Sequence, residues 1–149
     1  MCEGLPDRAL LRCLGAKSVK DGRHKSGVLK TLTKSEGLIG MVDEDPKNTQ
    51  SRPKAMREFR LVEARHGTKL YYHKSNNNKL IILCPDLESW VLKTTKTSKI
   101  NIGEYGLPKT PSALHRIINT RLANFEKLIV QLIKLQNPSI LYLQSLFIL

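Results

Sequence analysis

The sequence lacks a long apolar run. Its most apolar stretch, residues 140–149, is far short of the roughly 18 residues that a membrane-crossing helix needs, and it stands at the wrong end for a secretory leader. No membrane association is therefore expected. Cysteine is sparse, and Cys2, Cys13 and Cys84 form no C-x-x-C pair. An odd, scattered set suits neither a disulfide framework nor a zinc site, so a reducing, cytoplasmic setting is expected. His24, His66, His73 and His115 also lack metal-ligand spacing, and they read as surface or capping residues. Internal repeats and low-complexity tracts are absent. Acidic residues are scarce late in the chain: beyond Trp90 only Glu104 and Glu126 remain.

What is present is positive charge on a globular composition. There are 25 Lys and Arg against 13 Asp and Glu, a net charge of +12. A field of that sign gathers polyanions, and nucleic acid is the expected partner. Basic surfaces also serve solubility, so charge alone leaves both readings open. At 149 residues and 40% hydrophobic, the chain suits one domain with a real core.

The hydrophobic pattern gives an order of elements. Pro6-Asp7 opens a helix whose apolar face is Leu10, Leu11 and Leu14, with Gly15 as its stop. Residues 27–34 read as a short helix, and 38–42 as a buried strand that ends in acids. A polar loop over 45–53 follows. Strands are expected at 59–64, 69–73 and 80–84, the last two joined by the turn Ser75-Asn76-Asn77-Asn78. A helix starts at 87–93, with Trp90 as a core residue, and 96–109 is a loop. Thr110-Pro111 caps one long helix reaching Leu135. Asn137-Pro138 ends it, and 139–149 makes a last helix with an apolar tail. The expectation is an α/β fold: a mainly parallel sheet flanked by helices, over residues 1–93, with a C-terminal helical hairpin over 94–149 packed on the same domain. The exposed part of the hairpin is a candidate homodimer or partner surface.

Two acidic segments stand out, Glu3-Gly4-Leu5-Pro6-Asp7 and Asp43-Glu44-Asp45. In open α/β sheets ligands bind beyond the carboxyl ends of strands. An acid behind one strand and D-x-D behind another point to that edge. Continued extension past the strand would turn Asp43 and Asp45 to one side. Carboxylates gathered there need a hard cation such as Mg²⁺. Each segment also has a plainer reading, as helix capping for Glu3 and Asp7 and as a solvated turn for Asp43 to Asp45.

With these segments the chain resembles the Toprim domain. That family carries Glu-Gly after its first strand, matched by Glu3-Gly4, and D-x-D after a later one, matched by Asp43-Glu44-Asp45. Glu3-Gly4-Leu5-Pro6-Asp7 is similar in form to the E-G-x-x-[DE] motif of overcoming-lysogenization-defect nucleases. His24-Lys25-Ser26-Gly27 resembles the Gly-Lys turn of small Toprim-like defence proteins, and Asp86-Leu87-Glu88-Ser89-Trp90 a later acidic motif. The likeness covers roughly 1–93. Only Met1 and Cys2 precede Glu3, where the family has a full apolar strand. A first strand nearly absent, or a chain that begins inside it, is therefore expected.

The resemblance implies a Mg²⁺- or Mn²⁺-dependent nuclease. Glu3, Asp7, Asp43, Asp45 and Glu88 would be metal ligands; Glu3, Asp43, Asp45 and Lys25 would be catalytic. Lys25, Lys30, Lys47 and Arg52 would hold the nucleic acid. The alternative it implies is a non-catalytic nucleic-acid-binding or regulatory subunit beside an ABC-type ATPase. Topoisomerase and primase activities are not expected, because each needs further domains.

Overall fold

The computed structural model describes residues 1–48 and 54–147. Arg52, most of the expected loop over 45–53, and the tail 148–149 lie outside the described residues.

Two helices lead: α1 (Leu5–Cys13) and α2 (Lys25–Lys34). Pro6 sits in the first turn of α1, where a missing N–H costs nothing. His24 caps α2, its ring accepting the Gly27 N–H at 3.0 Å. Four strands follow: β1 (Ile39–Asp43), β2 (Phe59–Arg65), β3 (Thr68–His73) and β4 (Lys79–Leu83), in the order β1-β4-β3-β2. Then come α3 (Leu87–Thr97), α4 (Pro111–Ile117), α5 (Leu122–Lys134) and α6 (Pro138–Ser145).

The α/β class is as expected, but the sheet is mixed rather than mainly parallel. β1 and β4 run parallel; β4–β3 and β3–β2 are antiparallel. The short turns after β2 and β3 permit only antiparallel return, since a parallel neighbour needs a crossover. Beside β1 lies a further scrap of parallel pairing. The Met1 amino group donates to the Ile39 carbonyl at 2.6 Å, and the Met41 N–H donates to the Met1 carbonyl at 2.8 Å. On its other side Cys2 bridges Asp21 in parallel, with the Gly22 N–H donating to the Cys2 carbonyl at 2.8 Å. The expected weak first strand is thus two residues held from both flanks.

Alternation along the strands builds a core on each face. Val42, Leu80 and Ile82 pack with Val28, Leu29 and Leu32 of α2. Met41, Ile81 and Leu83 pack with Leu10 and Leu14, with Trp90, and with Phe125, Leu128 and Leu132 of α5. That second core also takes in Ile140 and Leu143, so the C-terminal helices share a core with the sheet. The buried Trp90 satisfies its indole N–H on the His66 carbonyl (3.2 Å) and Thr68 Oγ1 (3.1 Å).

The single long helix expected from 111 to 135 is instead α4, a tight 3₁₀ turn at Ile118–Thr120, and α5. Thr120 Oγ1 donates back to the Ile117 carbonyl at 2.7 Å, the local side-chain bonding that competes with helix. The last helix stops at Ser145.

Candidate metal and phosphodiester site

Three parallel segments end at one edge of the sheet. Cys2 is followed by Glu3, β1 closes on Asp43, and beyond β4 comes Asp86, the cap of α3. The turn after Asp21 brings His24 and Lys25 to the same edge. There lies a cleft of about 730 Å³, lined among others by Glu3, Lys25, Asp43, Asp45, Asp86 and Glu88. That size suits a small ligand or a short stretch of polymer. A smaller cavity of about 250 Å³ adjoins it and is lined among others by Glu3, Asp7, Asp43 and Glu88.

The carboxylates are fixed by backbone. The Asp43 N–H donates to Glu3 Oε1 at 3.0 Å, tying the two motif acids together across a separation of 40 residues in sequence. Asp43 Oδ1 accepts the Leu87 N–H at 3.0 Å, and Asp86 Oδ1 accepts the Ser89 N–H at 2.7 Å. Glu88, buried, bonds the His115 ring at 3.0 Å. Lys25 donates to the Glu44 carbonyl at 2.8 Å, which holds its ammonium beside the cleft.

Electrostatics follow from burial first and from crowding second. Burial, then the charges of Asp7, Glu3, Glu88 and Asp86, push the Asp43 carboxyl up to about 8. Burial, then Glu3, pushes Asp7 up to about 7. Glu3 is also raised, chiefly by burial, with the Asp43 N–H and the Lys25 cation acting against it. Glu44 points elsewhere. Its bond from Lys69 holds its carboxyl below the usual range.

The structure brings Glu3, Asp43, Asp45, Glu88 and Lys25 into one cleft and sets Asp7 in the cavity that adjoins it. The route for Asp45 differs from the expected one. The strand stops at Asp43, and Asp45 takes a left-handed conformation (φ 48°), its N–H donating to the Pro85 carbonyl at 2.8 Å. A turn, rather than continued extension, delivers it. Lys30 and Lys47 are exposed and stand outside the cleft lining. His24 and His115 are exposed as expected of surface residues, but His73 is buried, its ring accepting the Ser75 and Asn76 N–H groups of the β3–β4 turn.

One wall of the cleft was not foreseen. Pro111, Ser112, His115 and Arg116 of α4 face the carboxylates across it. Nothing local in the sequence marks α4 as part of the site; only the packing of α4 against α3 puts it there.

The acids supply oxygen donors, the chemistry that Mg²⁺ and Mn²⁺ select, and the His24 and His115 rings line the same cleft. Asp43 and Asp7, raised by burial and then by neighbouring acids, are groups whose ionisation a cation would favour. As the side chains stand, no group of three His, Cys, Asp or Glu among the described residues is arranged to hold a metal ion. Compared with protein-family models, curated proteins and solved structures, the chain matches none. Any function must therefore be argued from the site itself.

Proposed function

We propose that the protein is a Toprim-like, Mg²⁺- or Mn²⁺-dependent phosphodiesterase that cleaves nucleic acid in a reducing, cytoplasmic setting. The observation that carries this reading is the crowding of Glu3, Asp7, Asp43 and Glu88 at the carboxyl ends of parallel segments, where burial and mutual repulsion keep Asp43 partly protonated to about pH 8. Such a cluster is costly to the fold and has a use once a divalent cation neutralises it.

Glu3, Asp43 and Asp45 would hold the ion, with Asp7 and Glu88 behind them. When bound, it would supply Lewis acidity toward a phosphoryl oxygen and lower the pKa of an attacking water. Lys25, anchored on the Glu44 carbonyl, would offer a cation to the scissile phosphate. The basic exterior would gather the polymer without reading its sequence. The test is cleavage of a labelled oligonucleotide with Mg²⁺ or Mn²⁺ against chelator. Asp43→Ala is expected to lose at least about 100-fold in rate. Full activity in that variant would overturn the reading.

A second reading keeps the fold and drops the chemistry, leaving a nucleic-acid-binding or regulatory subunit beside an ABC-type ATPase. It is favoured by the absence, among the described residues, of a ready three-ligand group. Exposed Val130, Leu135 and Leu141 on α5, its end and α6 would then serve a partner or a second copy. Metal-independent binding with no cleavage by the wild-type protein would select it.

A further inference from the structure

Beside the cleft, and outside the site described above, lies a hollow of about 360 Å³ between the end of α3 and the loop that leads to α4. Lys96, Lys99 and Lys109 line it, with Asn101, around Leu92, Thr95, Ile100 and Ile102, and no acidic residue is part of the lining. All three lysines are exposed, and none makes a side-chain hydrogen bond or ion pair among the described residues. Three exposed lysines around one hollow with no acidic lining give it a positive field that favours an anion.

The hollow is continuous in chain with the unforeseen wall of the cleft. Lys109 lines the one and Pro111 lines the other, so their Cα atoms are no more than about 7 Å apart. On that wall Arg116 is exposed and also makes no side-chain hydrogen bond or ion pair among the described residues, although it faces a floor of carboxylates. Unpaired cations thus run from Arg116, past Lys109, to Lys96 and Lys99. Lys25 lines the same cleft. An anionic polymer laid across the carboxylate floor would meet the cations of Lys25 and Arg116, and its continuation past Lys109 would fall on the lysine hollow.

We infer that Arg116 and the hollow formed by Lys96, Lys99 and Lys109 are the backbone-binding track for a nucleic acid strand leaving the cleft, engaging phosphates next to the one over the carboxylates. This rests on the reading of the cleft as a phosphodiester site. It adds that the substrate is a polymer with flanking phosphates rather than a nucleotide or a monoester. A membrane surface is disfavoured because the track adjoins the acidic floor, which would repel a sheet of anionic headgroups.

The experiment measures binding of a fluorescent single-stranded thymidine 20-mer by anisotropy across a salt series, in Ca²⁺ so that binding is read apart from cleavage. Lys96→Gln/Lys99→Gln/Lys109→Gln is compared with Lys17→Gln/Lys127→Gln/Lys134→Gln, which removes the same charge from exposed positions elsewhere. Each phosphate that is no longer neutralised lowers the slope of log K against log salt by about 0.7 for a single strand. The track variant is expected to lose about 2 units of slope and at least tenfold in affinity at low salt. Arg116→Gln should lower the slope by about 0.7, and the control should change little. Equal losses in the two triple variants, or none in the track variant, would overturn the inference. So would unchanged oligonucleotide binding alongside lost binding to phosphatidylglycerol vesicles. Cleavage measured in Mg²⁺ keeps the two claims apart. An inactive wild type that shows the differential slope sinks the metal chemistry and keeps the track; an active wild type without it does the reverse.

Discussion

At the residue scale the site holds two aspartates, Asp43 and Asp7, whose carboxyls are raised far above their ordinary range. Asp43 rises from 3.8 to about 8 and Asp7 from 3.8 to about 7, each mainly through burial. A carboxyl whose folded pKa is raised favours the fold while protonated. That contribution is fully present below about pH 4 and is lost as pH climbs through the folded values. Without divalent cations, the wild-type melting temperature should therefore fall between pH 5 and pH 8. Asp43→Asn, neutral throughout, should flatten that fall and melt about 5 °C or more above the wild type at pH 8. Mn²⁺ should raise the wild-type melting temperature more at pH 8 than at pH 5, since it binds the ionised form. A flat wild-type profile would show the cluster to be better solvated than its burial suggests. Glycine sets a second constraint. A Cβ on Gly27 would lie 2.2 Å from the Gly22 carbonyl oxygen, a backbone atom that cannot swing aside. Gly27→Ala should cost about 1–3 kcal/mol in urea titrations, and it should disturb the turn that aims Lys25.

At the element scale, what could be read from sequence was whatever local chemistry decides. The start of α1 at Pro6-Asp7, the run leading to Asp43, and the turn Ser75 to Asn78 all follow from period, proline and turn residues. The meeting of Glu3 with Asp43 was legible from acids placed behind two strands and from motif resemblance, while the bond that ties them joins residues far apart in sequence. Sheet direction is not set by the strands themselves: the short connections on either side of β3 make it antiparallel to both neighbours, and the turn Ser75 to Asn78 was the local sign of that. The break inside 111–135 left the apolar stripe intact, and Asn119-Thr120 was the sole local sign. The α4 wall carried no signal, since a helix becomes part of a cleft only through what it packs on. Asn137 shows a boundary residue doing more than ending a helix. Its side-chain oxygen accepts the Ser139 and Ile140 N–H groups of α6, while its amide donates to the Thr94 carbonyl (3.0 Å), Thr97 Oγ1 and Ser98 Oγ at the end of α3. Fully enclosed, it couples the two helix ends. Asn137→Ala should cost about 1–3 kcal/mol, a lost cap plus the lost bonds to the end of α3, where the Thr94 carbonyl still accepts from Thr97 Oγ1. Asn137→Ser should recover the cap and only part of that loss. Equal denaturation midpoints for the two variants would mean that the bonds to α3 carry the whole effect.

At the scale of the whole molecule, charge is sorted. The chain carries +12 overall, yet Glu3, Asp43, Asp45, Asp86 and Glu88 meet in one cleft. Long-range attraction draws a polyanion in, and the floor repels the phosphate that must lie on it. A divalent cation removes that conflict, so oligonucleotide affinity should depend on metal even where no cleavage occurs. In Ca²⁺ the wild-type protein is expected to bind an oligonucleotide at least about fivefold more tightly than in chelator at equal ionic strength. Glu3→Gln/Asp45→Asn takes away the repulsion and the ligands together. In chelator that variant should bind more tightly than the wild type, and adding Ca²⁺ should change it little. The two proteins should therefore converge when metal is present and diverge when it is withdrawn. General screening by Ca²⁺ would instead strengthen or weaken both alike. Parallel responses would separate the carboxylate floor from nucleic-acid binding and leave the basic exterior as the only determinant of affinity.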